Sequence, residues 1–383
     1  MIMELTKYKL GEVLENYDYL RKPLSSMERS VFQGVYPYYG AQGIIDHVRE
    51  YRCDGEYLLV AEDGENLSSR KEPIAQIAKG KFWVNNHAHI VKTNSKADLK
   101  YILYLLNTSD ISGYVTDAAQ PKLSQTNLNK ITFELPPLPT QRKITSILSS
   151  YDSLIENNVK RIRLLEQMAE NLYKEWFVRF RFPGHENTEF VDGLPKGWKY
   201  ENLFDVANVS YGYAFKSNLF CDDKTLNAVV RIRDIQDNHT DTYTNERCDD
   251  KYLIEENAII IGMDGIFHMC LWNGERAYLN QRVVKILSKN TDFCNYMLLM
   301  AIRPQVKFWE QVIVGTTVAH LGDKHLRKMK VLVPERAILV KANKQIEMIM
   351  KEKNKLFREN SSLIRQRDLL LPRLMSGKLE VKS

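Results

Sequence analysis

The sequence lacks the short motifs that mark nucleotide-driven enzymes and zinc-binding modules. It contains no GxxxxGK[ST] phosphate loop, and no GxGxxG segment opens a helix after a strand. The five cysteines form no CxxC pair, and their odd number fits neither a zinc site nor a disulfide framework. These absences argue against a P-loop motor, a dinucleotide-dependent enzyme and a disulfide-rich secreted domain.

Long apolar stretches are also missing. No run of 18 apolar residues occurs, and the opening MIMELTKYKL has no apolar core of signal-peptide length. We therefore expect a cytoplasmic protein with no membrane partner. The basic excess is small, 54 Lys and Arg against 48 Asp and Glu, which permits nucleic-acid binding without requiring it.

What the chain does contain is an internal repeat. QPKLSQTNLNKITFELP (120–136) aligns without gaps with VAHLGDKHLRKMKVLVP (318–334), at an offset of 198 residues. Further upstream, EYLLVAEDGENL (56–67) resembles NAIIIGMDGIFH (257–268), each an apolar strand followed by Asp-Gly. The order is therefore globular unit, helix, globular unit, helix, and the mixture of strand-like and helical runs predicts an α+β fold.

Each helix carries an apolar seam with a spacing of three and four residues. A period of 3.5 indicates a narrow seam that faces another helix, so we predict that the two helices pair with each other. The residues leave the direction of pairing open; an antiparallel pair would place the globular units at opposite ends. The seam positions are Leu148, Tyr151, Ile155, Asn158, Ile162, Leu165, Leu172, Ile346, Ile349, Leu356, Asn360, Leu363 and Leu370.

Catalytic patterns are weak. An amino-methyltransferase needs Asp or Asn before Pro-Pro and an aromatic residue, and LPPLP (135–139) has leucine there. His87 and His89 share one face of a predicted strand and could be a metal pair, but no third ligand is nearby and the second copy has Arg282 and Val284. We predict a non-enzyme with no catalytic residue and no metal, in which these histidines are satisfied internally or face DNA.

A binding function fits the sequence better, because both globular units contain segments that mix cations, aromatics and amides. Arg and Lys contact phosphates or guanine edges, and Asn and Gln match adenine edges. The candidate DNA contacts in the first unit are Arg21, Lys22, Tyr38, Tyr39, Lys81, Asn86, His87 and Ser124. Those in the second unit are Tyr213, Lys216, Arg231, Arg233, Arg282, Thr316, His320 and Lys324.

Four stretches in this order resemble the specificity subunit of type I restriction-modification systems over essentially the full length. They are QPKLSQTNLNKITFELPPLPTQRKI, LYKEWFVRFRFPG, GLPKGWKY and LLLPRLMSGKLEV. The resemblance implies two target-recognition domains, each reading one half of a bipartite asymmetric DNA site, and two long helices that form an antiparallel coiled coil. By the match to QPKL, it places Gln120 and Lys122 near DNA and partners, whereas the second copy departs from that motif.

The resemblance also implies partners. Methylation subunits would carry S-adenosylmethionine and the adenine chemistry, and restriction (motor-nuclease) subunits would use ATP and Mg to cleave double-stranded DNA. This chain would bind no cofactor and catalyse nothing itself. KEWFVRFRFPG (174–184) is either a helix end that docks on the neighbouring domain or a contact for a methylation subunit.

The resemblance gives a division of the chain, and three alternatives stay open. The expected parts are target-recognition domain 1 (1–139), helical region 1 (140–178), a linker (179–195), target-recognition domain 2 (196–335), helical region 2 (336–375) and a tail (376–383). The alternatives are an enzyme with a nonstandard site, a coiled-coil DNA adaptor without sequence preference, and a recognition subunit of another phage-defence system.

Overall fold

The chain divides into two compact α+β units. Unit 1 comprises Met1–Asn157 and Asn360–Ser383, and unit 2 comprises Asn158–Glu359. In the part of the chain that the computed structural model describes, no helix combines the length and apolarity needed to cross a bilayer. The described residues are 5–116, 120–313, 319–379 and 381.

Unit 1 is built on a six-stranded sheet. The strands of unit 1 are β1 (Thr6–Lys9), β2 (Leu14–Asn16), β3 (Gln33–Gly40), β4 (Gly43–Val48), β5 (Cys53–Ala61), β6 (Ala75–Val84), β7 (Ala88–Thr93) and β8 (Thr132–Leu135). The sheet order is β2-β7-β5-β6-β3-β4, and β1 pairs separately with β8. Side chains alternate along a strand, so Leu58 and Val60 of β5 enter one core cluster while Tyr57 and Leu59 enter another.

The short helices of unit 1 have local start signals. They are α1 (Ser26–Val31), α2 (Asn66–Ser69), α3 (Leu99–Thr108) and α4 (Gln125–Lys130). Asp98 precedes α3 and accepts a hydrogen bond from the Tyr101 amide at 3.0 Å, and Ser124 caps α4 in the same way. The buried Gln141 side chain accepts a hydrogen bond from the Asp98 amide, which ties the next helix to the start of α3.

Unit 2 repeats part of the topology of unit 1, with two four-stranded sheets in place of the six-stranded one. Its strands are β9 (Phe190–Val191), β10 (Leu194–Pro195), β11 (Lys199–Asn202), β12 (Ala207–Tyr211), β13 (Phe220–Cys221), β14 (Asn227–Val230), β15 (Tyr243–Thr244), β16 (Ile259–Gly262), β17 (Met269–Leu271), β18 (Ala277–Leu279), β19 (Val283–Ser288) and β20 (Lys330–Val333). The order β12-β19-β16-β17 matches β2-β7-β5-β6, and the β11-β20 pair matches β1-β8. The parallel pairing of β14 with β18 likewise matches that of β3 with β6.

The remaining helices are α6 (Leu203–Val206), α7 (Asn295–Val312), α8 (Asp323–Leu326) and two long ones, α5 (Leu138–Tyr173) and α9 (Arg336–Met375). A π-helical turn at Lys174–Val178 follows α5. Unit 1 contains the start of α5 and the end of α9, and unit 2 contains the end of α5 and the start of α9. The two helices are therefore antiparallel, as the resemblance implied.

Contacts across the seam between α5 and α9 explain why polar residues occur in it. Every predicted seam residue is buried or half-buried. The three polar residues at one heptad position of α9 each have a partner on α5: Lys353 lies 2.9 Å from Glu166, Arg367 lies 2.9 Å from Asp152, and the Asn360 amide donates to a main-chain carbonyl at 3.2 Å. Polar partners thus compensate for the poorer apolar repeat of the second helix.

Candidate nucleic-acid interface

In unit 1, three main-chain hydrogen bonds hold the turn that follows β5. The Glu62 amide donates to the His87 carbonyl at 2.9 Å, and the Leu123 amide donates to the Glu62 carbonyl at 2.7 Å. The Gly64 amide donates to the Pro121 carbonyl at 3.3 Å. The turn, the β6–β7 connection and the QPKL segment therefore meet at one place.

Unit 2 contains the same three hydrogen bonds at the equivalent positions. The Met263 amide donates to the Arg282 carbonyl at 2.8 Å, and the Leu321 amide donates to the Met263 carbonyl at 2.8 Å. The Gly265 amide donates to the Ala319 carbonyl at 3.0 Å. A common main-chain frame is thus built twice in this chain, from residues that mostly differ.

In unit 1 this frame carries the Asp63 cluster, which we define as Asp63, His87 and Lys122. His87 Nδ1 lies 2.8 and 2.9 Å from the two Asp63 carboxylate oxygens, so it donates and leaves Nε2 facing elsewhere. Lys122 forms a β-bridge with Asp63, and its Nζ lies 3.4 Å from Glu62 Oε1. The His87 and Lys122 side chains are each about half exposed, which makes them available to a ligand.

Beneath the Asp63 cluster lies a buried ionic network. His89 Nδ1 lies 2.7 Å from Asp18 Oδ2, and its Nε2 lies 2.8 Å from the Leu123 carbonyl oxygen, so both ring nitrogens face acceptors. Arg21 bridges Asp18 and Glu62. Burial raises the pKa of both carboxyl groups, but the bonds from His89 to Asp18 and from Arg21 to Glu62 outweigh it and leave both pKa values lowered. This network positions the strand ends rather than facing solvent.

In unit 2 the frame carries the Asp264 cluster, which we define as Asp264, Arg282 and His320. His320 Nδ1 lies 2.6 Å from Asp264 Oδ1, and Arg282 Nε lies 3.6 Å from Oδ2 of the same carboxylate. Because Met263 replaces Glu62, one carboxylate serves both side chains. Arg282 and His320 are exposed by 57% and 42%, and Arg282 has a positive φ of 67° that turns the chain sharply.

Several other predicted DNA contacts lie on the surface outside these interactions. In unit 1 these exposed residues are Lys22, Lys81, Asn86 and Gln120, and in unit 2 they are Lys216, Arg233 and Lys324. Lys81 Nζ lies 4.6 Å from the centre of the Tyr51 ring. Each of these side chains is accessible to a ligand.

Outside the two clusters, five predicted contacts are half-buried and already engaged, and one of them is Arg21 in the ionic network with Asp18 and Glu62. Tyr39 packs edge-on against Phe82, and Ser124 serves as the cap of α4. The Tyr213 hydroxyl lies 3.4 Å from Glu246 Oε1. Arg231 lies over the Phe220 ring at 5.5 Å, and its Nε is a buried donor with no partner among the described residues.

Tyr38 corrects the sequence analysis. Its side chain is 0% exposed, and its hydroxyl accepts a hydrogen bond from the Leu24 amide at 2.8 Å. It belongs to a small core with Val48 and Trp83 and cannot reach DNA from there. In the segment VYPYYG, the alternation of side chains along the strand turns Tyr38 inward. Thr316, another predicted contact, lies outside the described residues.

The segment after α5 packs inward. Trp176, Phe177 and Phe182 are buried, and Phe182 stacks on Trp198 with ring centres 5.1 Å apart. Val178 in the same segment is exposed. Packing within unit 2 therefore accounts for the aromatic residues, and a contact with a methylation subunit stays a prediction for the exposed side.

The two clusters offer partly exposed hydrogen-bonding and charged side chains. No group of three or more His, Cys, Asp or Glu side chains that could hold a metal occurs within the described ranges. Asp63 and Asp264, which centre the clusters, were not among the predicted site residues. The repeated Asp-Gly after β5 and β16 is the sequence signal for these two positions.

Comparison with known proteins gives a consistent picture. The family model described as type I restriction modification DNA specificity domain matches residues 3–167 and 195–360. A Haemophilus influenzae protein assigned as a type I restriction enzyme specificity subunit is 35% identical over 145 residues, 38% of this chain and only 37% of that relative. The MjaIX specificity subunit of Methanocaldococcus jannaschii is 25% identical, over 85% of this chain and 80% of its own.

A solved structure supports the fold. The crystal structure of the type I restriction-modification S subunit from M. genitalium superposes with a TM-score of 0.64 at 14% identity, covering 100% of this chain and 97% of that one. At this identity the likeness concerns the fold alone.

Proposed function

The chain belongs to the type I restriction modification DNA specificity domain family, and we propose that it is the DNA-recognition subunit of such a complex. Each unit would read one half of a bipartite asymmetric site in double-stranded DNA. Methylation subunits would modify adenine with S-adenosylmethionine, and restriction subunits would use ATP and Mg to cleave. This chain would supply sequence choice and no catalytic group.

The observation that carries this proposal is the repeated frame with unlike side chains. Each unit has the same three main-chain hydrogen bonds at its own copy of the turn. Unit 1 presents His87 and Lys122 there, whereas unit 2 presents Arg282 and His320. A protein that reads two different short sequences needs one docking geometry and two sets of base-facing groups. A coiled-coil adaptor without sequence preference needs no such difference.

The division of the chain follows from the same proposal. Target-recognition domains at 1–139 and 196–335 would each contain one cluster, and helical regions at 140–178 and 336–375 would bind the methylation subunits. The flipping of a target adenine into a partner's pocket costs unstacking energy, so the assembled complex should bind far more tightly than this chain alone.

The test is competition binding with the complex of this chain and its methylation subunit. We expect one duplex family, selected from random sequence, to compete at about 10³-fold lower concentration than random duplex at physiological salt. An adaptor without sequence preference would show steep salt dependence and equal competition by all duplexes. Methyl transfer to DNA by the chain alone would instead support the enzyme alternative.

A further inference from the structure

We propose that Asp63 and Asp264 are equivalent positioning residues, and that the side chains they hold determine one equivalent base-pair position in each half-site. In unit 2, the geometry points to Arg282 reading a guanine edge. This inference rests on the proposed function and deepens it. It names which of the many exposed polar side chains select sequence.

The first step is the equivalence of the two positions. The bonds from Glu62 to His87 and from Met263 to Arg282 differ by 0.1 Å in donor-acceptor distance. His87 and Arg282 therefore leave the protein from the same point of the same frame. Two copies of one frame that dock alike on DNA would bring these two side chains to corresponding base pairs of their half-sites.

The second step concerns which atoms each side chain offers. Arg282 faces Asp264 Oδ2 with Nε at 3.6 Å, and because its side chain is 57% exposed, its terminal nitrogens are accessible to a ligand. Two parallel N–H groups are what the O6 and N7 atoms of guanine accept. His87 donates a hydrogen bond from Nδ1 to Asp63, so it offers a single further ring nitrogen, Nε2, and cannot make that two-pronged contact.

The third step separates base reading from phosphate binding. A carboxylate beside the cation, as Asp264 is beside Arg282, repels a phosphate but not a neutral base edge. Phosphate contacts set register and would need the same chemistry in both units. Instead the chain repeats the aspartate and changes the side chains that it holds, as expected of positions that choose sequence.

The experiment selects preferred duplexes from a random pool with the complex of this chain and its methylation subunit. For Arg282→Gln we expect the preference for G·C at one position of one half-site to fall about 5- to 150-fold, with the other half-site unchanged. Asp264→Ala should relax the same position, and Asp264→Asn, which keeps an acceptor for His320, should relax it less. Asp63→Ala should affect only the other half-site.

Control variants separate this role from folding. Lys224→Gln removes an exposed cation of unit 2 outside the cluster and should leave the preferred sequence unchanged. Arg282 is largely exposed, so Arg282→Gln should unfold at the wild-type temperature even where Asp264→Ala does not.

Two results are informative in different ways. If the wild-type complex selects no bipartite sequence, the proposed function fails. If it does select one, and Arg282→Gln leaves both half-sites unchanged or relaxes both equally, the positioning inference is overturned while the proposed function stands.

Discussion

Replacing Asp152 with alanine should lower the free energy of unfolding of unit 1 by more than the loss of an exposed ion pair would. Asp152 on α5 accepts a hydrogen bond from Arg367 of α9 at 2.9 Å and another from the Tyr104 hydroxyl of α3. Burial and the bond to Asp152 raise the pKa of Tyr104, so its hydroxyl stays protonated and donates. Asp152→Ala would remove the carboxylate that accepts from the buried Tyr104 hydroxyl and one of the two carboxylates that pair with Arg367, which keeps its contact with Asp368 at 2.9 Å.

The magnitude follows from that count and from the partial exposure of the site. Each lost partner costs about 1–3 kcal/mol when the donor is buried. Arg367 and Asp152 are 28% and 39% exposed, so water recovers part of this, and we expect a total of about 2 kcal/mol. In a domain of about 150–250 residues, that corresponds to a Tm lower by about 4–8 °C.

The assay is thermal unfolding with a matched control on the same two helices. Arg161 and Glu352 also bridge α5 and α9, but both are largely exposed, so Glu352→Ala should cost at most about 0.5 kcal/mol. A double-mutant cycle of Asp152→Ala with Arg367→Ala should give a coupling of about 0.5 kcal/mol or more. Equal Tm shifts for Asp152→Ala and Glu352→Ala, or no coupling, would refute the reasoning.

Three further expectations concern other parts of the chain. Leu356→Ala removes a side chain that is 1% exposed in the helix seam and should lower the free energy of unfolding by about 2–5 kcal/mol in urea titrations. Asp18 and Glu62 have lowered pKa values when folded, so their stabilisation is present above their unfolded values of 3.8 and 4.5 and is lost as pH falls through the folded ones; melting at pH 5 and pH 3 should show it. Lys81→Gln should weaken binding to all duplexes alike and reduce the salt slope by about one ion.

The sequence predicted the large-scale fold because repetition and heptad spacing are local signals. The offset of 198 residues located equivalent strands β8 and β20, and the 3.5-residue period located the seam. The sequence did not predict the sheet order, because the pairing of β3 with β6 and of β14 with β18 joins segments that are distant in the chain. The seam partners of Lys353 and Arg367 could not be read either, because they depend on the register of the antiparallel helices.

The candidate site was predictable in part. Composition and the repeat identified His87, Arg282 and His320 as candidate DNA contacts; the structure places His87 beside Asp63 in unit 1, and Arg282 and His320 beside Asp264 in unit 2. The sequence could not show that Asp63 and Asp264 hold these side chains. His87 lies 24 residues from Asp63, and His320 lies 56 residues from Asp264. Tyr38 was assigned to the surface because its neighbours are aromatic and polar, and strand alternation overrules that signal.

The central claim is that one chain reads two different half-sites through two units. Its most direct test is a map of methylated adenines in DNA from cells that express this chain with its methylation subunit, compared with cells in which residues 1–139 are exchanged for another target-recognition domain. We predict two short motifs separated by a fixed gap, only one of which changes on exchange. A single contiguous motif, or an exchange that alters both motifs together, would contradict the account.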